Sequence, residues 1–424
     1  MSELKKGDVV HLTNGGSATI EQELGRGGQG IVYRVDYKGT KMALKWYHKE
    51  PSKDVPNFYK NLQANIDNGS PSPVFIWPQY LTKKEQNGFG YIMQLRPTGY
   101  FEFGTFLLAK HHFSSFYAIT VAAMDICEGF KALHAHGLSY QDLNDGNFFI
   151  DPKTGHVLIC DNDNVFPHRQ NSGIQGKARY MAPEVVAGQK PDAHSDKFSL
   201  AVILFMLMFF NHPFEGKRVA ACPCMTEDDE KRFYGSEMTF IFNPVNRSNT
   251  PVKGVHNNVL RLWPVYPELL RQAFITEFSD DRLKNPTKRL TELQWLAVLT
   301  SVRDSLIICP HCMGETFINI DSNQNKCMQC GRPVSVSNTL VIEGRKLALT
   351  ADSKYYLDRD DTADILVHKS QDQRTLLMQN LTNKQWLVET PSGKSKVLNP
   401  KESMPVKSGM KISFVSFNKR GEIV

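Results

Sequence analysis

Between Leu133 and Leu200 the chain alternates apolar runs with polar loops in an order that few folds can use. Leu133-His134-Ala135-His136-Gly137-Leu138 closes a helical segment and leads into the loop Tyr140-Gln141-Asp142-Leu143-Asn144-Asp145-Gly146-Asn147. Fourteen residues after Asn147, the apolar Leu158-Ile159-Cys160 delivers Asp161-Asn162-Asp163. Gly176-Lys177-Ala178-Arg179-Tyr180-Met181-Ala182-Pro183-Glu184 follows, and then Asp196-Lys197-Phe198-Ser199-Leu200 opens an apolar helix. The longest apolar run, Leu200 to Phe210, is too short to span a bilayer and reads as a buried helix. The N-terminal stretch Met1 to Val10 is charged and lacks the apolar core of a signal peptide, so a cytoplasmic protein is expected, with no membrane association.

A length of 424 residues predicts two to three domains at roughly 150 residues each. Three regimes follow one another. Up to about Leu306, short alternating apolar segments give way to long helical ones such as Phe113 to His136 and Leu290 to Ile307. Strands first and helices later predict a two-lobed α+β unit. A cysteine-bearing island comes next. Beyond it, runs such as Leu376-Leu377-Met378 and Lys411-Ile412-Ser413-Phe414-Val415 alternate with Asn, Gly, Pro and Ser clusters, which predicts a small all-β module. With 41% hydrophobic and 22% charged residues, intrinsic disorder is excluded. A net charge of 50 − 44 = +6, not gathered in one block, gives no argument for nucleic acid.

Gly25-Arg26-Gly27-Gly28-Gln29-Gly30-Ile31-Val32 lies between strand-like flanks, and glycines let a hairpin backbone approach phosphates closely. A dinucleotide fold would need a helix opening within the motif, whereas Ile31 to Tyr37 reads as strand. Thirteen residues after Val32, Lys45 ends the apolar segment Ala43-Leu44-Lys45, where a cation can reach nucleotide phosphates. Together, and in this order, these landmarks resemble the protein-kinase superfamily over roughly residues 15 to 305. The resemblance implies that Asp142 accepts the proton of an incoming hydroxyl and that Lys45 grips the α- and β-phosphates of ATP beneath the backbone of Gly25, Gly27, Gly28 and Gly30. Asn147 and Asp161 would hold magnesium (or manganese), and the adenine would sit by Val32, Ala43, Met93 and Leu95, with Met93 as gatekeeper. Glu184 with Arg289, and Asp196, would be architectural.

This chain departs from the family pattern in several places. Tyr140-Gln141-Asp142 stands where the family has His-Arg-Asp, so no arginine waits for an activation-segment phosphate. Between Asp161 and Ala182 the only aliphatic hydroxyl is Ser172, and constitutive or partner-controlled activity is expected. Asn144 replaces the usual lysine and Lys177 the usual small hydroxyl residue, which makes Lys177 a candidate catalytic cation that returns the charge Asn144 removes. Asp163 reads as a solvated turn residue in preference to an extra metal carboxylate. Residues 52 to 68 carry no glutamate to pair with Lys45, only Asn57, Asn61 and Gln63, and Glu50 comes too early in the chain.

Cys309-Pro310-His311-Cys312 and Cys327-Met328-Gln329-Cys330-Gly331, with 14 residues between the pairs, resemble a zinc ribbon. Four thiolates close a tetrahedron with no open position, so the zinc would be structural; His311 is the alternative donor. Cys222-Pro223-Cys224 has the wrong spacing for a knuckle. In the C-terminal module, Leu357 to Ile365, Ser370 and Val406 to Phe414 resemble a forkhead-associated domain, with Arg359 and Ser370 at two phosphothreonine-binding positions. Gln373 replaces the family's histidine, so a protein-docking platform is favoured over phosphopeptide binding.

The expected organisation is a protein-kinase-like domain over 1–306 (lobes about 1–96 and 97–306), a zinc ribbon over 307–335 and a forkhead-associated-like β-sandwich over 336–424. This order resembles bacterial eukaryotic-like kinases that accompany a metal-dependent protein phosphatase and a von Willebrand factor A protein in tellurite-resistance-associated systems. It implies an ATP- and magnesium-dependent Ser/Thr protein kinase acting on protein partners. The alternative is a pseudokinase scaffold that assembles a complex without phosphoryl transfer.

Overall fold

Apolar strands along the first hundred residues build a sheet whose central strands bury both faces, in one cluster around Ile31, Leu44 and Ile92 and another around Ala43, Tyr47 and Tyr91. In the computed structural model, which describes residues 3–47, 55–84, 88–170, 176–322, 324–358 and 362–424, the N-terminal sheet comprises β1 (Val9–His11), β2 (Ser17–Arg26), β3 (Gly30–Tyr37) and β4 (Thr40–Tyr47). It is completed, after helix α1 (Val55–Asn68), by β5 (Pro78–Leu81) and β6 (Gly90–Gln94). The strand order is β1-β2-β3-β4-β6-β5, antiparallel throughout. The β4–β6 register sets Ala43 opposite Met93 and Trp46 opposite Gly90. A Cβ at Gly90 would lie 2.2 Å from the Lys45 carbonyl oxygen, so the strand beside Lys45 closes up only around glycine.

After the short helix α2 (Phe103–Leu107), helix α3 runs over Phe116–Ala135. The buried helix Ala193–Phe209 is stopped at its start by Asp192, whose carboxylate accepts from the amides of His194 and Ser195 while the Ser195 side chain returns a bond to Asp192 N. Every residue from Phe198 to Phe209 is buried, so this helix is the core on which the catalytic-loop region rests. Asp196 on its first turn accepts from the backbone N–H groups of Tyr140 (2.6 Å) and Gln141 (3.0 Å). The predicted helix Leu290 to Ile307 is shorter, Glu292–Asp304. Leu306–Ile308, with two β-branched residues, instead pairs as a strand with Glu315–Phe317.

Packing divides the chain into two compact units along a line different from its sequence order. One holds residues 1–114, 122–260 and 274–295; the other holds 115–121, 261–273 and 296–424. In the second, Arg345 forms two 2.8 Å bonds to the Asp304 carboxylate and also donates to the carbonyls of Tyr356 and Leu357. This fork of bonds ties the end of the last helix to the β region that follows. Glu315 accepts from the amides of Phe116 (2.6 Å) and Tyr117 (3.3 Å), satisfying N–H groups at the start of α3. Beyond Ser337 the unit is all β. A six-stranded and a four-stranded antiparallel sheet share one buried cluster that includes Trp386, Phe414, Met378 and Leu340. Among the described residues no helix is long and apolar enough to cross a membrane.

His134, near the end of α3, meets Asp196 through Nε2 (3.1 Å) and Glu292 through Nδ1 (2.7 Å). Burial pulls its pKa down, but the two carboxylates outweigh burial and hold it up at about 9, against an ordinary 6.5. A raised folded-state pKa gives stability that is complete below pH 6.5 and lost as pH rises through 9. The stability gap between the parent and His134→Gln is therefore expected to be largest at pH 6 and to shrink by up to about 3 kcal/mol by pH 9.5. Urea unfolding of both proteins across that range checks this, and a pH-independent gap refutes it.

Candidate active site

Beneath the N-terminal sheet lies a cleft of about 640 Å³. Six of the residues expected around a nucleotide line it: Gly25, Val32, Ala43, Met93, Leu95 and Asp161. Ile76, Arg96 and Phe149 also line it and were not foreseen; the Arg96 guanidinium stacks over the Phe149 ring at 3.9 Å. Gly27 and Gly28 form the turn between β2 and β3, closed by Gly27 N–H donating to Gly30 O at 2.9 Å. A Cβ at Gly25 or Gly28 would meet nothing, whereas one at Gly30 would lie 2.4 Å from the Trp46 carbonyl oxygen. Gly30 is therefore required by the sheet's close approach, while the backbone at Gly25, on the cleft wall, and at Gly28 is open.

Lys45 and its anions form the centre of the site. Lys45 is 6% exposed, and its Nζ lies 3.2 Å from Asp161 Oδ1 and 2.8 Å from Asp163 Oδ2. The same Asp163 oxygen accepts from the Tyr47 hydroxyl at 2.5 Å. Burial works against the Lys45 charge, and the two carboxylates more than offset that penalty, leaving its pKa raised. The reading of Asp163 as a solvated turn residue is corrected: it is fully buried in the short turn Asn162–Asn164. Asn162 pins that turn by donating to the carbonyls of Ile76 (2.8 Å) and Ile159 (2.9 Å). Asp161, at the turn's start, has left-handed backbone (φ 56°) and a half-exposed carboxylate. The expectation that Lys45 goes without a carboxylate partner is corrected as well. On α1, Asn61 donates to Val165 O (2.8 Å) and Gln63 to Asp67, and no residue of that helix pairs with Lys45 among the described residues. Glu50 lies outside the described residues.

The Asp142 loop is knitted by amides. The Asp142 carbonyl accepts from Asn147 Nδ2 (2.8 Å) and Asn144 Nδ2 (3.2 Å). This bond commits one hydrogen of the Asn147 amide, whose oxygen is of the kind that could ligate a hard cation. Lys177 Nζ reaches Asn144 Oδ1 at 3.3 Å, so the cation and the asparagine whose substitutions looked linked do meet. Gln141, in the place of the family's arginine, has a left-handed backbone (φ 71°) and donates to Ser139 Oγ (2.9 Å) and Gln170 O (2.5 Å). Ser172 lies outside the described residues. Glu184 and Arg289 form a bidentate pair with both distances 2.7 Å.

The four cysteines converge, all sulfurs lying within 4.8 Å of one another and none in a disulfide. Backbone N–H groups of His311 and Gln329 point at Cys309 and Cys327 Sγ (3.5 and 3.4 Å), and Gly331 takes the left-handed turn (φ 70°) after the second pair. His311 Nε2 lies 3.1 Å from Pro333 O, which turns the alternative donor to another partner. Burial raises the Cys327 pKa, yet the amides of Cys330 and Gln329 and the neighbouring thiols bring it down to about 6, toward the thiolate a metal takes. In the C-terminal module Ser370 Oγ donates to Asp372 Oδ1 (2.5 Å), a carboxylate that repels a phosphate, and Arg359 lies outside the described residues.

Gly25 of the glycine hairpin and Asp161 wall the cleft, and Asp161 in turn bonds the buried Lys45. The family model described as the protein kinase domain matches residues 18–291, and the chain belongs to that family. It is similar to the probable serine/threonine-protein kinase PknB of Corynebacterium glutamicum, 25% identical over 211 residues, 47% of this chain and 32% of that one. Serine/threonine-protein kinase Pkn1 of Myxococcus xanthus is 27% identical over 220 residues, 49% and 31% of the two chains. Protein kinase C delta type of Rattus norvegicus is 27% identical over 209 residues, 47% and 30%. The chain spans about a third of the length of these relatives.

Burial first, and then the charges of Asp161 and Asp163, push the Asp142 carboxyl up to about 6. In the role of base that the family resemblance implies, Asp142 would act only when ionised, so kcat/KM for phosphate transfer is expected to fall as pH drops through about 6, approaching tenfold per pH unit below it. A pH–rate profile checks this; a profile flat down to pH 4.5 refutes it.

Proposed function

We propose that this protein is an ATP-dependent Ser/Thr protein kinase. The observation that carries the reading is that Lys45, 116 positions earlier in the chain, bonds to the Asp161 that lines the cleft, while the Asp161 charge acts on Asp142, whose carbonyl Asn147 holds. The adenine lies among Val32, Ala43, Met93 and Leu95, and the triphosphate runs beneath the open backbone of Gly25 and Gly28 toward Lys45. Asn147 and Asp161 would hold magnesium, which supplies neutralisation of phosphate charge. Asp142 orients the incoming hydroxyl and takes its proton, and Lys177, brought to Asn144, adds a cation on the phosphate side of that base. The Ser/Thr-specific relatives favour a hydroxyl amino acid of a protein as the acceptor.

Within this reading the kinase domain covers 1–306, a zinc ribbon 307–335 and a forkhead-associated-like module 336–424. Cys309, Cys312, Cys327 and Cys330 hold a structural zinc. The β module serves as a protein-docking platform, because Asp372 occupies the hydroxyl that a phosphothreonine would use. A metal-dependent phosphatase and a von Willebrand factor A protein are the partners this domain order suggests.

The purified chain, incubated with γ-labelled ATP, magnesium and candidate protein substrates, is expected to transfer label. Asp142→Asn should lose at least about 10³-fold and Lys177→Ala about tenfold. Transfer by neither parent nor variant, across those substrates, supports a scaffold that binds without catalysis; an unchanged Lys177→Ala removes that residue from the machinery. Metal analysis should find near-stoichiometric zinc, lost in Cys327→Ser together with about 2–5 °C or more of thermal stability. Retention of zinc by Cys327→Ser refutes the four-thiolate site.

A further inference from the structure

A lysine that grips phosphates from inside a protein needs an anion to keep it charged and aimed. Helix α1 packs beside the end of β4, the place from which such an acid could come, yet the residues it buries there are Phe58 and Leu62. Phe58 lies edge-on to Tyr47, with ring centroids 5.7 Å apart, and fills the space apolarly. The anion arrives instead from the turn that follows Asp161.

We propose that Asp163 is the positioning residue of Lys45: fixed by the Tyr47 hydroxyl, its carboxylate holds the ammonium ready for the nucleotide phosphates, a task for which α1 carries no glutamate. The proposal rests on the nucleotide-binding reading above. Three features carry it. Lys45 is closer to Asp163 (2.8 Å) than to Asp161 (3.2 Å). Two donors, Lys45 Nζ and Tyr47 Oη, converge on Asp163 Oδ2, which fixes both the rotamer and the charge of the pair. Finally, the Asp163 side chain is wholly buried while that of Asp161 is 46% exposed on the cleft wall. The two carboxylates of one turn thus divide their work, Asp161 toward the ligand and Asp163 toward the lysine behind it.

This arrangement changes what can control the site. The lysine's partner and the cleft-facing carboxylate belong to the same turn, so one backbone conformation sets both. Helix α1 meets that arrangement through Phe58 against the Tyr47 ring and through the Asn61 and Asn65 amides, which donate to Val165 O at 2.8 and 2.9 Å. The Lys45 ion pair does not depend on an acid carried by α1.

The test is a double-mutant cycle on nucleotide affinity. Parent, Asp163→Asn, Lys45→Met and the double variant are titrated calorimetrically with a non-hydrolysable ATP analogue at several magnesium concentrations. Asp163→Asn and Lys45→Met should each weaken binding about ten- to a hundredfold. The double variant should be no weaker than the poorer single one, since Asp163 acts through Lys45. Additive losses, binding by Asp163→Asn equal to the parent, or a changed magnesium dependence in that variant each overturn the proposal. If Asp163→Asn does not fold, Tyr47→Phe replaces it in the cycle, with an expected loss of about two- to fivefold that vanishes in the Lys45→Met background; persistence there is equally fatal. A parent that binds while the cycle is additive refutes only this proposal, whereas a parent that binds no nucleotide refutes the function on which it rests.

Discussion

Taking an ammonium out of water costs more than almost any other single act of folding, and it is tolerated only where an opposite charge meets it in good geometry. Lys45 is the case on which this site is built. Its charge is kept by two carboxylates from one turn, and one of these is itself gripped by Tyr47. To bring them there, the turn must pass under the sheet, which the Asn162 amide secures through the Ile76 and Ile159 carbonyls. The strand above must close against its neighbour, which Gly90 allows. Sheet register, turn and cleft therefore follow from a single electrostatic requirement.

The same logic holds the loop of Asp142. Its backbone hangs from Asp196, whose charge is balanced by His134, which in turn meets Glu292. Where the family pattern is broken, short amide side chains take over the bonding. Gln141 cannot read a phosphate, but it binds the carbonyl of Gln170 and so orders the start of the activation segment without modification. Asn144 cannot supply a cation, but it draws Lys177 to its side. The family's arginine at this place is replaced by an amide that makes neutral hydrogen bonds to Ser139 and Gln170.

In the second compact unit, two acids at segment ends do the joining. Asp304 receives the Arg345 fork and Glu315 receives the first amides of α3, so helix termini that would otherwise expose polar groups are satisfied from elsewhere in that unit. The two cysteine pairs flank Glu315 in the chain, between Asp304 and Arg345. Their geometry comes from two tight turns with amides aimed at sulfur, a local property of each Cys-x-x-Cys pair.

Features encoded by local pattern were legible before any coordinates. The glycine hairpin, the strand carrying Lys45, the buried helix after Asp196, the cysteine pairs and the order of the motifs each rest on spacing within one element or turn. The Glu184–Arg289 pair was also foreseen, through family resemblance. What the sequence could not settle is which groups meet across long separations and which polar residues are buried. Asp163 shows why. A three-residue turn has no periodicity to reveal its inner side, and the partners that bury it, Lys45 and Tyr47, lie 118 and 116 positions away. The absence of a glutamate on α1 was visible as a gap, but only the folded chain identifies what fills it, because a buried charge is satisfied by proximity in space and carries no mark of its partner along the chain.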